Sequence, residues 1–203
     1  MNFKPLHDAQ HADSVTLWFL GWGFDDSLEP LLNISTPTIL LWDYSDLRLP
    51  IDLSQYYSIS IKAWSMGVWA AESFLHNNPN LPITHTTAIA GTPLPADPDL
   101  GIGTQAIRLT IDNWSEPNRL KFARKIAIPT QHTHLLLSRT LTSQADELQH
   151  ILNAQSLPHP TPHTWSHAII TSHDRIFPPT AQHTWWDTHA QLITNHDSPH
   201  WPF

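Results

Sequence analysis

The sequence predicts an α/β protein: a mostly parallel sheet of about six strands with helices on both faces and a small helical insertion. Three observations predict it. Short apolar runs recur along the 203 residues, at 15–20, 38–43, 57–63, 84–90, 165–172 and 189–194. The strongest of them are continuous rather than alternating, as in strands covered on both faces. Helical stretches fall between them near 25–34, 66–77 and 179–188, and that alternation is the signature of βαβ units.

Taken in order, residues 1–14 are polar and read as an irregular arm or a short edge strand. Residues 15–20 (Val-Thr-Leu-Trp-Phe-Leu) form the first buried strand and end in Gly21-Trp22-Gly23, where two glycines permit an unusual turn. Residues 38–43 and 57–63 supply the next two strands, and residues 84–90 a weaker one. From residue 91 to 162 the alternation stops. A Pro/Asp/Gly-rich loop over 92–103 leads to polar helices near 115–126 and 141–155, and Pro158-His-Pro-Thr-Pro162 returns the chain to the sheet. The expectation is a single domain over 1–203 with a lid or cap at about 92–162.

Composition narrows the class. Forty per cent apolar residues with ten Trp indicate a packed globule. There is no Cys, which excludes a disulfide framework, a thiolate nucleophile and a thiolate metal site. No apolar run approaches a membrane span and no leader-like segment opens the chain, so a soluble, cytoplasmic protein is expected. A net charge of −8 argues against nonspecific nucleic-acid binding.

The chemistry centres on Ala63-Trp64-Ser65-Met66-Gly67, which follows an apolar strand and opens a helix. A Ser on such a strand–turn–helix carries its hydroxyl above the sheet, beside the amides and positive dipole end of the new helix. Small residues two before and two after it let strand and helix approach. Gly67 meets that need, and Ala63 stands where Gly is usual. The competing reading is a buried Ser at a strand end. A Ser hydroxyl needs a base, and the base an orienting acid, both placed beyond the carboxyl ends of strands. The fifth apolar run ends in His173-Asp174-Arg175 and the sixth is followed by His196-Asp197-Ser198-Pro199-His200. Asp174 and His200 therefore follow Ser65 in the order Ser…Asp…His of the α/β-hydrolases; the plain alternatives are a helix cap at Asp174 and a tail position for His200 in a His-rich chain. In that arrangement the oxyanion donors are the amides of Met66, after the Ser, and Trp22, in the loop after the first strand.

Five segments carry a resemblance: Phe19-Leu-Gly-Trp-Gly-Phe-Asp, Ala63-Trp-Ser-Met-Gly-Val-Trp-Ala-Ala, Ala90-Gly-Thr-Pro-Leu-Pro, Asp174-Arg-Ile-Phe-Pro-Pro and His200-Trp-Pro-Phe. Together the chain resembles the pimeloyl-acyl-carrier-protein methyl esterases of biotin synthesis, in their short BioG-type branch. The resemblance is weakest over residues 95–165. It implies an α/β-hydrolase that removes the methyl group from a pimeloyl methyl ester carried on acyl-carrier protein, without a cofactor. Ser65 carries over as nucleophile, Asp174 as acid, His200 as base, and Trp22 and Met66 as oxyanion donors.

Charge gives a separate hint of that partner. Four of the ten Lys/Arg lie within seven residues, Arg119, Lys121, Arg124 and Lys125, in the lid of an otherwise acidic chain. Such a patch would attract an acidic helical partner; a solvated helix face is the plain alternative. No nucleic-acid or membrane partner is expected. Fifteen His invite a metal reading, but Pro160 and Pro162 break the helical spacing of His159, His163 and His167, and His132 and His134 share a face only if extended. Without a His-Glu-x-x-His pattern no metal site is expected. A general carboxylesterase, an acyl thioesterase and a noncatalytic binding protein on the same fold remain open.

Overall fold

The computed structural model describes residues 1–154 and 162–203. Its strands are β1 (Asn2–Leu6), β2 (Ser14–Phe19), β3 (Thr38–Trp42), β4 (Ser58–Trp64), β5 (Ile83–Ile89), β6 (Trp165–Thr171) and β7 (Ala190–His196). All seven form one sheet in the order β1-β3-β2-β4-β5-β6-β7. This is one strand more than the apolar runs predict. The addition is β1, from the N-terminal arm, antiparallel to β3 in a register running from Asn2↔Trp42 to Leu6↔Thr38. Its Pro5 fits the edge, where a strand needs donors on one side only.

The other pairings are parallel. In the middle of the sheet Leu17 lies between Ile39 and Ile61, and all three are buried, which explains the continuous apolar runs. The connections reverse at β2, whose neighbours are β3 on one side and β4 on the other. Beyond the carboxyl ends of β2 and β4 the chain therefore parts in opposite directions and leaves a crevice.

Helices α1 (Met66–Asn77), α2 (Thr104–Asp112), α3 (Glu116–Lys125), α4 (Leu141–Ala154) and α5 (Pro179–His189) flank the sheet. Residues 66–75 of α1 are all buried, including Glu72. That carboxylate is tolerated because it accepts from the His163 amide at 2.9 Å and from Trp165 Nε1 at 2.8 Å, holding the entry to β6.

Two readings change. Residues 25–34 do not form an α-helix: a 3-10 segment, Asp26–Leu31, takes their place, capped by Asp25, which accepts from the Ser27 amide at 3.0 Å. Pro30 lacks the donor that a longer helix would need. Helix α2 follows the predicted loop, in a stretch for which no element is predicted, and its β-branched Thr and Ile residues hide it. Packing supplies what propensity lacks: Ile107 is buried and α2 lies against α4. The predicted helices near 115–126 and 141–155 correspond to α3 and α4. The Pro158–Pro162 connection and His159 fall almost wholly outside the described residues.

Helix α4 is bound by buried charge to the turn that follows β3. Its Glu147 accepts from the Tyr44 amide at 3.0 Å and from Arg139 Nη1 at 2.5 Å, and Arg139 also lies 3.2 Å from Asp43. Burial pushes the Glu147 carboxyl above the usual carboxylate range, against the pull of Arg139. No described helix is long and apolar enough to cross a membrane.

Candidate active site

Ser65 sits between β4 and α1 with φ 58° and ψ −126°, a backbone conformation that side-chain-bearing residues rarely adopt. A non-Gly residue there costs about 1–3 kcal/mol and persists only where its surroundings over-determine it. Here the surroundings are close backbones. A Cβ on Gly67 would lie 2.4 Å from the Phe19 oxygen and 2.6 Å from that of Leu20, and one on Gly91 would lie 2.5 Å from the Ser65 oxygen. Ala63, where the motif usually has Gly, is accommodated in the ladder between Phe19 and Ala88. Gly67→Ala is expected to cost about 2–3 kcal/mol in urea unfolding; a loss below about 0.5 kcal/mol would mean that strand and helix can part there.

The three residues that sequence order singles out meet beyond the carboxyl ends of β4, β6 and β7. His200 Nε2 lies 2.9 Å from Ser65 Oγ, and His200 Nδ1 lies 2.8 Å from Asp174 Oδ2. All three are buried. Asp174 is held from several sides. Oδ1 accepts from the amides of Ile176 at 2.7 Å and Phe177 at 3.0 Å. Oδ2 accepts from Thr171 Oγ1 at 3.0 Å and Gln182 Nε2 at 3.2 Å. A carboxylate so surrounded accepts from Nδ1, which assigns the ring proton to Nδ1 and leaves Nε2 to accept from the Ser65 hydroxyl. The imidazole stacks on Phe177 at 6.2 Å and 10°, and Trp64 Nε1 holds the His200 backbone by donating to its carbonyl oxygen at 3.0 Å.

Thr171, Gln182, Phe177 and Trp64 escape the sequence reading. Trp64 adjoins the Ser and Phe177 follows the Asp closely, so proximity was a usable signal for those two. Gln182 lies eight residues beyond Asp174 in α5, and nothing local marks it.

A cavity of about 360 Å³ opens over Ser65 and His200. Trp22, Phe24, Trp64, Ile107, Trp114, Phe122 and Ile126 give it apolar walls, and Lys121, Lys125, Asn113 and Asn118 add polar groups. Trp22 and Met66 line it too. Met66 opens α1, so its amide has no acceptor within the helix. The Trp22 amide donates to no backbone carbonyl among the described residues.

Of the four basic residues singled out on α3, the structure separates one. Lys121, Arg124 and Lys125 are exposed, whereas Arg119 is buried. Its Nη2 donates to Glu116 Oε1 and Oε2 at 2.6 and 2.7 Å, and its Nη1 to the Arg139 oxygen at 2.8 Å. Arg119 therefore faces inward and is unavailable to a partner. Helical phase decides this, since positions 121, 124 and 125 lie on a face that 119 does not share. The histidines are scattered: His163 faces Glu72 and His167 faces Thr194. Among the described residues no three metal-ligating side chains converge.

A mostly parallel sheet with Ser, Asp and His converging beyond its strand ends places the chain in the α/β-hydrolase class. The crystal structure of BioG from Haemophilus influenzae superposes with TM-score 0.85 at 31% identity, covering 98% of this chain and 94% of that one. An esterase from Exiguobacterium antarcticum shares the fold, with TM-score 0.65 at 12% identity over 98% of this chain and 87% of that one. A Bacteroides fragilis protein named malonyl-[acyl-carrier protein] O-methyltransferase is 34% identical over 194 residues, 91% of this chain. The chain spans only 39% of that relative's length. The family described as pimeloyl-ACP methyl esterase BioG matches residues 3–203, and the chain belongs to it.

Proposed function

We propose that this chain is a serine esterase that hydrolyses the methyl ester of pimeloyl-[acyl-carrier protein], releasing methanol and the free acid. The observation that carries the reading is the Ser65–His200–Asp174 chain of contacts, 2.9 and 2.8 Å long, at the base of an apolar cavity. His200 Nε2 takes the Ser65 proton as Oγ attacks the ester carbonyl. Asp174 stabilises the resulting imidazolium, and the oxyanion rests between the Trp22 and Met66 amides. His200 then protonates the departing methanol. Water, deprotonated by the same imidazole, attacks the acyl-enzyme and frees Ser65.

The aromatic and aliphatic walls suit a methylene chain, each buried CH₂ contributing roughly 0.8 kcal/mol. The thioester to the carrier is intrinsically more reactive than the methyl ester, so selectivity is geometric: the chain enters methyl end first and holds the thioester away from Ser65. In this reading residues 92–162 act as a lid over the cavity within a single domain.

A panel of p-nitrophenyl butyrate, an acyl-CoA and pimeloyl-carrier-protein methyl ester separates this reading from a general carboxylesterase or an acyl thioesterase. The carrier-protein ester should have the highest kcat/KM. Preference for acyl-CoA would move the chain to the thioesterases. Complementation of a biotin auxotroph blocked at this cleavage tests the same point in cells.

Lys121, Arg124 and Lys125 would meet an acidic carrier protein at the cavity mouth. Arg124→Glu, outside the cavity lining, is expected to lower kcat/KM on the carrier-protein substrate about tenfold at low salt, with Lys125→Glu adding to the loss. The deficit should shrink in high salt. Arg124→Glu should leave p-nitrophenyl butyrate turnover within twofold, and equal losses on both substrates would count against docking.

A further inference from the structure

Gln144 of α4 is fully buried and uses its whole side chain. Its Nε2 donates to the oxygens of Gly23 and Leu136, both at 2.8 Å. Its Oε1 accepts from Trp114 Nε1 at 3.1 Å and Arg119 Nη1 at 3.3 Å. Its backbone oxygen accepts from Trp22 Nε1 at 2.7 Å. One residue thus grips the loop after β2 on both sides of its central peptide. Gly23, at φ 86°, lies against both Leu136 and Gln144: a Cβ there would sit 3.1 Å from Leu136 Cδ1 and in ordinary contact, 3.4 Å, with Gln144 Nε2.

We propose that Gln144 is the positioning residue of the oxyanion loop, setting the direction of the Trp22 amide. The inference rests on the esterase reading above, with Trp22 as an oxyanion donor. The physical need is specific. Gly21 and Gly23 leave Trp22 between two residues with wide backbone freedom, and a donor stabilises a developing oxyanion only if it is already aimed when charge appears. The indole bond fixes one side of the loop and the Gly23 carbonyl the other. Only a side-chain amide can donate to two carbonyls while accepting from an indole and a guanidinium. Trp114 and Arg119 orient that amide in turn, which gives the buried Arg119 a place in the same assembly.

The decisive variant is Gln144→Met, similar in size and without the two donors. On p-nitrophenyl butyrate, kcat should fall 10- to 100-fold with KM within threefold of wild type. Affinity for an aliphatic trifluoromethyl ketone, which adds to the Ser65 oxygen and places an oxyanion in the hole, should fall by the same factor. A purely structural role would lower the melting temperature without that matched loss in the surviving folded protein. Unchanged kcat and ketone affinity would overturn the proposal. If Gln144→Met does not fold, Trp22→Phe, which removes the indole donor to Gln144 together with part of the cavity wall, should lower kcat and ketone affinity by the same three- to tenfold; no change there would overturn it equally. Fluorophosphonate labelling of wild type separates the two levels. Absence of label at Ser65 defeats the esterase reading itself, whereas labelled wild type with an undiminished Gln144→Met defeats only the role of Gln144.

Discussion

Ser65→Ala is expected to lower kcat on p-nitrophenyl esters by about 10⁶-fold, the loss typical of removing a nucleophile that acts as one unit with its base. The contact at stake is the 2.9 Å approach of His200 Nε2 to Ser65 Oγ, in a site with no Cys to substitute. Folding should be almost unaffected. Alanine also bears a Cβ at the strained φ of 58°, so the backbone cost is the same in both proteins. The variant should therefore melt within a few degrees of wild type, fail to complement a biotin auxotroph and resist fluorophosphonate labelling. Growth supported by Ser65→Ala would exclude Ser65 as nucleophile.

Asp174→Asn comes next in size, with an expected loss of about 10⁴-fold in kcat. Oδ2 of Asp174 accepts from Thr171, Gln182 and His200 together. An amide cannot accept on both of its atoms. If its NH₂ faces His200 it donates to Nδ1, the ring proton moves to Nε2, and Nε2 can no longer take the Ser65 proton. If the amide is reversed, its NH₂ confronts the amides of Ile176 and Phe177, which both donate to Oδ1. Either arrangement costs the site its tautomer or its geometry. A loss below about tenfold, measured on p-nitrophenyl butyrate, would show that Asp174 does not set the tautomer.

Ser65, Asp174 and His200 could be read from sequence because each depends on local signals. A strand followed at once by a sharp turn and a helix marks Ser65, and apolar runs ending in polar residues mark the two strand tips. Strand ends in a parallel sheet share one rim, so naming the strands also names which residues can meet. Arg119 shows where such reasoning stops. It sits in the same basic cluster as Lys121, Arg124 and Lys125, yet its guanidinium turns inward to Glu116, Arg139 and Gln144. Composition cannot distinguish the two orientations, because helical phase against a neighbouring element decides them. Helix α2 stayed hidden for a related reason: its helical state comes from burial of Ile107 and packing on α4 rather than from its own residues.

By itself the sequence determined six of the seven strands, the order in which Ser65, Asp174 and His200 follow their strands, and Gly67 as the residue that lets strand and helix close at Ser65. These follow from apolar periodicity and from steric rules that act within a few residues. Only the tertiary structure decided that Gln182 braces Asp174, that Gln144 grips the loop after β2 and that Arg119 belongs to the interior. Those bonds join residues 8, 121 and 20 positions apart. A buried polar side chain takes its partners from whatever donors and acceptors packing brings beside it, and the order of residues along the chain does not record that choice.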